Sequence, residues 1–433
     1  MHLNEIYKVY LKYPIISTDT RKIEKNSIFL ALKGSNFNGN EFADKALELG
    51  ASYAIIDEAA YKKDERFILV EDVLETLQEL AKHHRDQLNI PIIGITGTNG
   101  KTTSKELIQA VLKQKYKVFA TKGNLNNHIG VPLSLLSINK ETEIAVIEMG
   151  ANHQLEIAFL CSLAKPGYGL ITNVGKAHLE GFGSYEGVKK AKAELYAWLS
   201  EHKGTLFLQK DNSELVSMAS KFEFEETISY GFNPKHDISG ELIEDNPFLS
   251  LEWAFNKEKA VVESQLTGAY NAENILAAIA IGVYFGLNAN EINTGIANYH
   301  PENNRSQIIK TKSNTIICDY YNANVSSMEA ALKNIDLMET PLRKTLILGD
   351  MFELGDESLK EHRLLIEKAL LLKDCDCIFV GKDFYKSKNE KAAFYKTTDE
   401  AVDALKKEII KNRLILLKAS RGMTFEKILA VIE

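Results

Sequence analysis

Four cysteines, Cys161, Cys318, Cys375 and Cys377, are too few to build a disulfide scaffold in a chain of 433 residues. Cys375 and Cys377 flank a single residue, but no histidine or second cysteine pair surrounds them. They read as small residues at a strand start rather than as metal ligands. No apolar run approaches the length of a membrane span. The stretch from Met1 to Pro14 places Glu5 and Lys8 among its apolar residues and has no secretory-leader core. Lysine and arginine, 52 in all, fall short of the 59 acidic residues, and no basic tract offsets the net charge of −7. Nucleic acid is therefore not the expected main partner. Low-complexity segments and short repeats are also missing. What remains is a cytoplasmic globular chain whose length suggests about three domains, and whose apolar content of 45% can fill several cores.

The most informative stretch present is Thr96-Gly97-Thr98-Asn99-Gly100-Lys101-Thr102-Thr103. It follows the apolar strand pattern Ile90 to Ile95 and precedes Leu107, Ile108, Val111 and Leu112, which recur at one-face helical spacing. A strand, a glycine turn and a helix start form an anion site, because unpaired N–H groups and the helix dipole point at one spot. Lys101 adds a point charge for terminal phosphates, and the Thr102 hydroxyl is a candidate Mg²⁺ ligand. ATP is the expected nucleotide. The common loop G-x-x-x-x-G-K-[ST] would need glycine at 95, where Ile95 stands. The variant present, T-G-x-x-G-K-T, resembles the loop of the Mur ligases and folylpolyglutamate synthases, which join amino acids through acyl phosphates. A kinase-type or motor-type P-loop is the competing reading.

Three segments follow from the pattern, and the expected fold class is α/β in three domains. Residues 1–87 read as a small α/β unit, with strands at Ile28–Leu32 and Tyr53–Ile56 and helices at Glu41–Leu49 and Val73–His84. Residues 88–305 read as a central P-loop ATPase-like parallel sheet with further strands at Ile144–Met149, Gly169–Thr172 and Thr205–Gln209. Glu148, Asn173, His178 and Asp211 cluster just past these strand ends, where open parallel sheets bind ligands. Residues 306–433 read as a second doubly wound, Rossmann-like domain. Its strands are Thr315–Asp319, Thr345–Gly349, Cys377–Gly381 and Leu414–Lys418, with an amphipathic helix at Leu359–Leu372.

Further strings resemble the Mur ligases over essentially the whole chain. Thr18-Asp19-Thr20-Arg21, followed by Phe29 to Gly34, resembles their N-terminal UDP-binding domain. The resemblance implies a Mg²⁺ site using Thr102 and Glu148, and a second metal held with His178, in Thr172-Asn173-Val174-Gly175-Lys176-Ala177-His178. It also implies a carbamate on Lys192, formed from CO₂. Such a carbamate needs a neutral amine, which burial or nearby cations would favour. Gly268-Ala269-Tyr270-Asn271-Ala272-Glu273-Asn274 resembles the family's helix start, with Asn274 facing adenine. Arg305 and Asp319 are expected to reach phosphates and ribose hydroxyls. Lys101, His178 and Lys192 are the expected catalytic residues, and Gly97, Thr98, Asn99, Gly100, Lys101, Thr102, Thr103, Asn274, Arg305 and Asp319 the nucleotide-binding ones.

Lys122 to Leu133, Tyr321-Asn322-Ala323-Asn324 and Leu348-Gly349-Asp350-Met351-Phe352-Glu353-Leu354-Gly355, followed by His362, resemble the family member that joins D-Ala-D-Ala to UDP-MurNAc-tripeptide. The D-N-P-R signature of the ligase adding the third residue is missing. The resemblance implies ATP-dependent ligation through an acyl phosphate, with the third domain closing over the second in a monomer. Two rivals stand beside this reading: another acyl-phosphate ligase, and a non-catalytic binding protein built on a decayed ligase. One departure is Val325, where the family usually has proline after Tyr-Asn-Ala-Asn. Proline pre-sets φ, so valine is expected to loosen that turn. Arg421 is a candidate substrate contact not distinguishable here from a surface charge.

Overall fold

The computed structural model of the chain describes residues 2–302 and 304–433. Met1, the first residue of the stretch read for a leader, and Asn303 lie outside the described residues. Three open sheets succeed one another along the chain. The first orders four parallel strands as Ile15–Ser17, Ser27–Leu30, Tyr53–Ile56 and Phe67–Leu69. Side chains alternate across a strand, so Phe29, Ala54 and Ile56 pack with Ala43, Ala46 and Leu47 on one face. Ile28, Leu30, Ile55 and Ile68 face the helices Leu3–Lys12 and Val73–Gln87 on the other.

The central sheet has nine strands. Val118–Ala120, Ile144–Glu148, Ile92–Thr96, Tyr168–Ile171, Thr205–Gln209, Glu226–Gly231 and Ile238–Glu244 run parallel in that spatial order. Ser250–Phe255 and Glu258–Glu263 extend it antiparallel. Ile92, Ala145, Ile147, Ile171, Leu206 and Leu208 face one core, while Ile93, Ile95, Val146, Leu170 and Phe207 face the other. Such two-sided burial is what continuous apolar strand runs are for. It also brings the C-terminal ends of Ile92–Thr96, Ile144–Glu148 and Tyr168–Ile171 to one edge, where the site lies.

The core beneath the first sheet continues without a break under helices Gly130–Leu136 and Glu156–Ala164 of the central unit. Hydrogen bonds cross the same seam. The Tyr10 hydroxyl donates to Leu136 O at 2.7 Å, and Arg85 donates to Ala164 O at 2.8 Å and Lys165 O at 3.1 Å. Arg85→Ala leaves those carbonyls without their charged donor, and an unmet buried polar group costs about 1–3 kcal/mol. The expected result is a lower urea midpoint at unchanged slope, with destabilisation of about 2 kcal/mol.

The third sheet orders Gln307–Lys310, Asn314–Asp319, Arg413–Lys418, Arg343–Gly349, Cys375–Val380 and Ala393–Tyr395, all parallel except the first. Helices Val325–Leu337 and Ser358–Ala369 cover one face, and Thr398–Lys407 and Glu426–Ile432 the other. The strands read from the sequence match within two residues, while Gln307–Lys310 and Ala393–Tyr395 of this sheet were not among them. The helix expected over Leu359–Leu372 ends earlier, at Ala369, and leaves Leu371 81% exposed. The stretch expected as a helix from Glu41 opens as a 3₁₀ turn, Gly39–Phe42, before the α-helix Ala43–Glu48.

Candidate active site

Gly97 and Gly100 give the phosphate loop its shape. Gly97 has φ +147° and Gly100 +76°. A Cβ would meet Thr172 Oγ1 at 2.0 Å from Gly97 and Asn274 Oδ1 at 2.7 Å from Gly100, so both positions exclude a side chain. The loop is tied to the neighbouring strand end. Thr98 N donates to Asn173 O at 3.0 Å, Asn99 N to Asn173 Oδ1 at 3.0 Å, and Thr172 Oγ1 to Asn99 O at 2.6 Å. Lys101, the first residue of helix Lys101–Leu112, donates from Nζ to Gly97 O at 2.7 Å and Thr98 O at 3.0 Å. Its ammonium is thus held across the mouth of the helix N-terminus, and desolvation pushes its pKa down.

Behind the loop, Thr102 Oγ1 donates to Glu148 Oε2 at 3.0 Å, and Asn126 Nδ2 donates to Glu148 Oε1 at 2.8 Å. Glu148 is 2% exposed, with buried Lys105 Nζ at 3.9 Å. A hydroxyl and a fixed carboxylate are hard oxygen donors of the kind Mg²⁺ takes. No cluster of three His, Cys, Asp or Glu stands ready for a metal among the described residues. The donor set therefore fits an ion that keeps waters and shares a nucleotide's phosphates. Asn126 and Lys105 carried no functional role in the sequence reading. Asn126 sits in the Lys122–Leu133 string, but Lys105 looks like any helix lysine.

His178 and Lys192 share the same cavity, of about 930 Å³. His178 sits at φ +50°, ahead of the turn of helix Leu179–Phe182, and Nδ1 donates to the Glu353 carboxylate of the third unit. A carboxylate only accepts, so the proton is on Nδ1 and Nε2 is left as the free ring nitrogen. Burial lowers the imidazole pKa, with Lys101 and Lys192 acting in the same sense and Glu353 against it. Lys192, on helix Tyr185–Glu201, is 3% exposed and makes no hydrogen bond among the described residues. Its Nζ lies 5.5 Å from the Phe182 ring centroid. Burial first, then the charge of Lys101, pushes its pKa down to about 7. An ordinary helix-surface lysine is thereby excluded.

The far wall comes from Asn274, Arg305 and Asp319. Asn274 Oδ1 accepts from Ser104 Oγ at 2.9 Å, and its Nδ2 donates to Asn271 Oδ1 at 2.8 Å, leaving one amide N–H for a ligand. Arg305 lies 3.7 Å from the Tyr321 ring centroid, and its Nε is buried without a partner among the described residues, a donor that a phosphate oxygen satisfies. Asp319 ends its strand and pairs with buried Lys418 at 2.6 Å. Every residue expected to bind nucleotide or metal lines this one cavity. Asp211 does not. It accepts from Phe232 N at 2.5 Å and from His236 Nε2 at 2.7 Å, so it fixes a turn beyond the site. Thr18 to Arg21 also lie outside this cavity, with Arg21 folded back on Asp19.

The third unit touches the phosphate loop directly. Asn324 Nδ2 donates to Asn99 Oδ1 at 2.8 Å, and Asn99 Nδ2 donates to Ser326 Oγ at 2.8 Å. Asn324 caps helix Val325–Leu337, accepting from Ser327 N at 2.9 Å while its own N–H donates to Ser327 Oγ at 3.0 Å. The reciprocal cap holds the turn that valine was expected to loosen. Val325 is the first helical residue, where proline is favoured, and Asn324 already has the extended backbone that proline demands of its predecessor. Val325→Pro is expected to raise stability by about 0.5 kcal/mol, after some lost packing against Met328, and to leave turnover unchanged in a paired melt and assay. His362 is structural: it is fully buried, its Nε2 accepts from Met351 N at 3.0 Å, and its Nδ1 donates to Ser358 O at 2.7 Å. Arg421 lines the cavity, paired with Glu426 and 5.9 Å from the Tyr321 ring centroid.

A phosphate loop backed by a hydroxyl–carboxylate pair, with cations converging from two units, defines a nucleotide-dependent enzyme of the ligase class. Comparison with known proteins gives the family. Residues 12–85 match the Mur ligase family, catalytic domain, residues 95–282 the Mur ligase middle domain, and residues 304–421 the Mur ligase, glutamate ligase domain. The chain belongs to the Mur ligase family. It is 35% identical to the UDP-N-acetylmuramoyl-tripeptide–D-alanyl-D-alanine ligase of Bacillus subtilis, covering 95% of this chain and 92% of that one. With the same ligase of Escherichia coli it shares 34% identity over 96% and 93% of the two chains. MurF of Thermotoga maritima, solved with ADP, superposes with a TM-score of 0.84 at 27% identity, covering 98% of this chain and 97% of that one.

Proposed function

We propose that the chain ligates D-Ala-D-Ala to UDP-MurNAc-tripeptide at the expense of ATP, giving UDP-MurNAc-pentapeptide, ADP and phosphate, and that it acts as a cytoplasmic monomer. The observation that carries this reading is the single cavity in which Lys101, Thr102, Glu148, His178, Lys192, Arg305 and Asp319 meet, in a chain related along its length to ligases of that name. Residues 1–87 take the uridine nucleotide, 88–305 the ATP and 306–433 the incoming dipeptide, with the third unit closed over the second.

The tripeptide's terminal carboxylate oxygen attacks the γ-phosphorus of ATP. The bond from that phosphorus to the bridging oxygen breaks, and ADP leaves an acyl phosphate. The dipeptide amine then attacks the acyl carbon and loses its proton, and phosphate departs with the electron pair of the carbon–oxygen bond. Lys101 and Arg305 balance charge on the transferring phosphoryl group, which is mostly a task of positioning and electrostatics. Asn274 orients the base and Asp319 the ribose. Thr102 and Glu148 would hold Mg²⁺, which would neutralise phosphate charge. His178 Nε2 and Lys192 would serve a second metal. An amine suits Mg²⁺ poorly, and a carbamate on Lys192 supplies the oxygens that ion prefers. The test is phosphate release from ATP with UDP-MurNAc-tripeptide, with and without D-Ala-D-Ala. Release that requires both, with pentapeptide formed, supports the reading; release indifferent to the dipeptide sinks it.

A further inference from the structure

Four carboxylates line the nucleotide cavity, and three of them already have partners. Glu148 accepts from Thr102 Oγ1 and Asn126 Nδ2, Glu156 accepts from Asn152 N and His153 N, and Asp319 pairs with Lys418. Glu273 has no hydrogen bond and no ion pair among the described residues, although it is half-buried in the first turn of helix Asn271–Tyr284. Burial, and then the Asp211 carboxylate near it, push its pKa up, as befits an anion that lacks a donor. The helix N-terminus offsets part of that cost. An acceptor held out of water still needs an N–H or O–H to meet it.

The place of Glu273 in the cavity says which part of a nucleotide supplies that donor. Asn274, the next residue, stands against the phosphate loop, where a Cβ on Gly100 would meet its Oδ1 at 2.7 Å. Glu273 instead has Asp211 as its charged neighbour, past the end of Thr205–Gln209. That strand is two places from Ile92–Thr96 in the sheet, about 10 Å from the loop by strand spacing. A nucleotide anchored by its phosphates at the loop, with its ribose at Asp319, brings its base to this end. The helix start meets the base with a fixed pair of partners. Asn274 has spent its Oδ1 on Ser104 and one N–H on Asn271, so it presents a donor only. Asn271 has spent its Oδ1 on Asn274 and its Nδ2 on Thr267 O. The ionised Glu273 presents an acceptor only.

A donor beside an acceptor complements adenine, whose 6-amino group donates next to a ring nitrogen that accepts. A 6-oxo purine puts an acceptor where that amino group was, facing a carboxylate that can offer it nothing. We infer that Glu273 reads position 6 of the purine, accepting from the adenine amino group and rejecting hypoxanthine and guanine, while Asn274 donates to the ring nitrogen beside it. The inference rests on the reading of this cavity as an adenine-nucleotide site and deepens it by naming the residue that selects the base. Phosphates and ribose are held elsewhere, so the base cannot slide to exchange its two partners. Glu273 is then a specificity residue and takes no part in phosphoryl transfer.

Inosine nucleotides carry oxo for amino at position 6 on the same ribose and phosphates, so they isolate this contact. Equilibrium binding of ADP and IDP is measured by calorimetry on wild type, Glu273→Gln and Glu273→Ala, with a thermal melt of each to confirm folding. Wild type is expected to bind ADP more tightly than IDP by on the order of 100-fold, because a site built to meet a donor is left unmet by its analogue. Glu273→Gln should shrink that ratio at least tenfold, mostly through tighter IDP, because an amide turned over donates to a 6-oxo group. Glu273→Ala should weaken ADP several-fold and leave IDP no weaker. A wild-type ratio near one overturns the inference with no variant needed. So does a ratio unchanged in a folded glutamine variant. An equal loss of both nucleotides in the alanine variant also overturns it, by putting Glu273 on a part the two share. No binding of ADP at all overturns the nucleotide reading and this inference with it. Discrimination through Glu273 in a protein that forms no pentapeptide supports the inference and sinks the ligase reading alone.

Discussion

Lys101→Ala is expected to lower dipeptide-dependent phosphate release by about 10³-fold with little loss of stability. Removing one preorganised donor to developing charge costs about 10²–10³ in rate, and a full cation at a phosphate-bearing helix N-terminus belongs at the upper end. The Lys101 ammonium is held by Gly97 O and Thr98 O, both backbone carbonyls of the loop it closes, so it is positioned before any substrate arrives. The loop does not depend on it. Thr98 and Asn99 are pinned by Asn173 and Thr172, and Asn99 by Asn324 and Ser326. Desolvation already disfavours the charged amine, so its removal relieves a buried charge while freeing two carbonyls. Lys101→Arg should restore little, because a planar fork cannot replace a point charge between two carbonyls so close to the glycine turn. Steady-state phosphate release and a thermal melt on both variants check this. An alanine variant within tenfold of wild type removes Lys101 from the phosphate site.

What the sequence made legible follows from how each feature is encoded. Both faces of the parallel strands are buried, so Ile92–Thr96, Ile144–Glu148 and Arg413–Lys418 appear as apolar runs that stand out from their surroundings. The antiparallel extension, Ser250–Phe255 and Glu258–Glu263, was not read as strand. It buries one face, and its outward Glu252 and Lys259, with Glu258 exposed at the strand start, look like loop composition. The alternation Leu249, Leu251, Trp253 and Phe255 was the available signal. The candidate nucleotide site was legible where its parts lie at the ends of such strands or within short strings, as the phosphate loop, Glu148 and Asp319 do. The seam with the third unit was not. Asn99 meets Asn324 across 225 residues, and His178 meets Glu353 across 175, pairings that no local pattern announces. Asp211 misled for the same reason: it follows the end of a strand of the right sheet by two residues, yet Thr205–Gln209 lies one strand beyond the site, and the carboxylate is satisfied by His236.

Lys192→Met should reduce activity at least 10²-fold and, in buffer free of CO₂, make the protein more stable than wild type at neutral pH. An almost wholly buried lysine whose pKa falls from 10.5 to about 7 carries a folding cost on the order of a few kcal/mol. The sign fixes the window. Below pH 7 the amine is protonated both folded and unfolded, so the full cost of burying the charge is present. Between pH 7 and 10.5 the unfolded chain still binds the proton and the folded one does not, so stability rises with pH by this group's contribution. The advantage of Lys192→Met should therefore be greatest below pH 7 and fade toward pH 10.5, a difference in which the titrations shared by both proteins cancel. Bicarbonate should act on wild type alone. The neutral amine adds CO₂ and releases a proton, and the resulting carbamate places an anion near Lys101 where the amine carried no charge. Melting curves over this pH range with and without bicarbonate, and a ¹³C-bicarbonate NMR resonance lost in the methionine variant, test both halves. A bicarbonate effect of equal size in the two proteins sinks the carbamate, and retained activity in Lys192→Met removes the residue from the chemistry. A methionine variant no more stable than wild type below pH 7 would mean the amine is not desolvated in solution as its burial here requires.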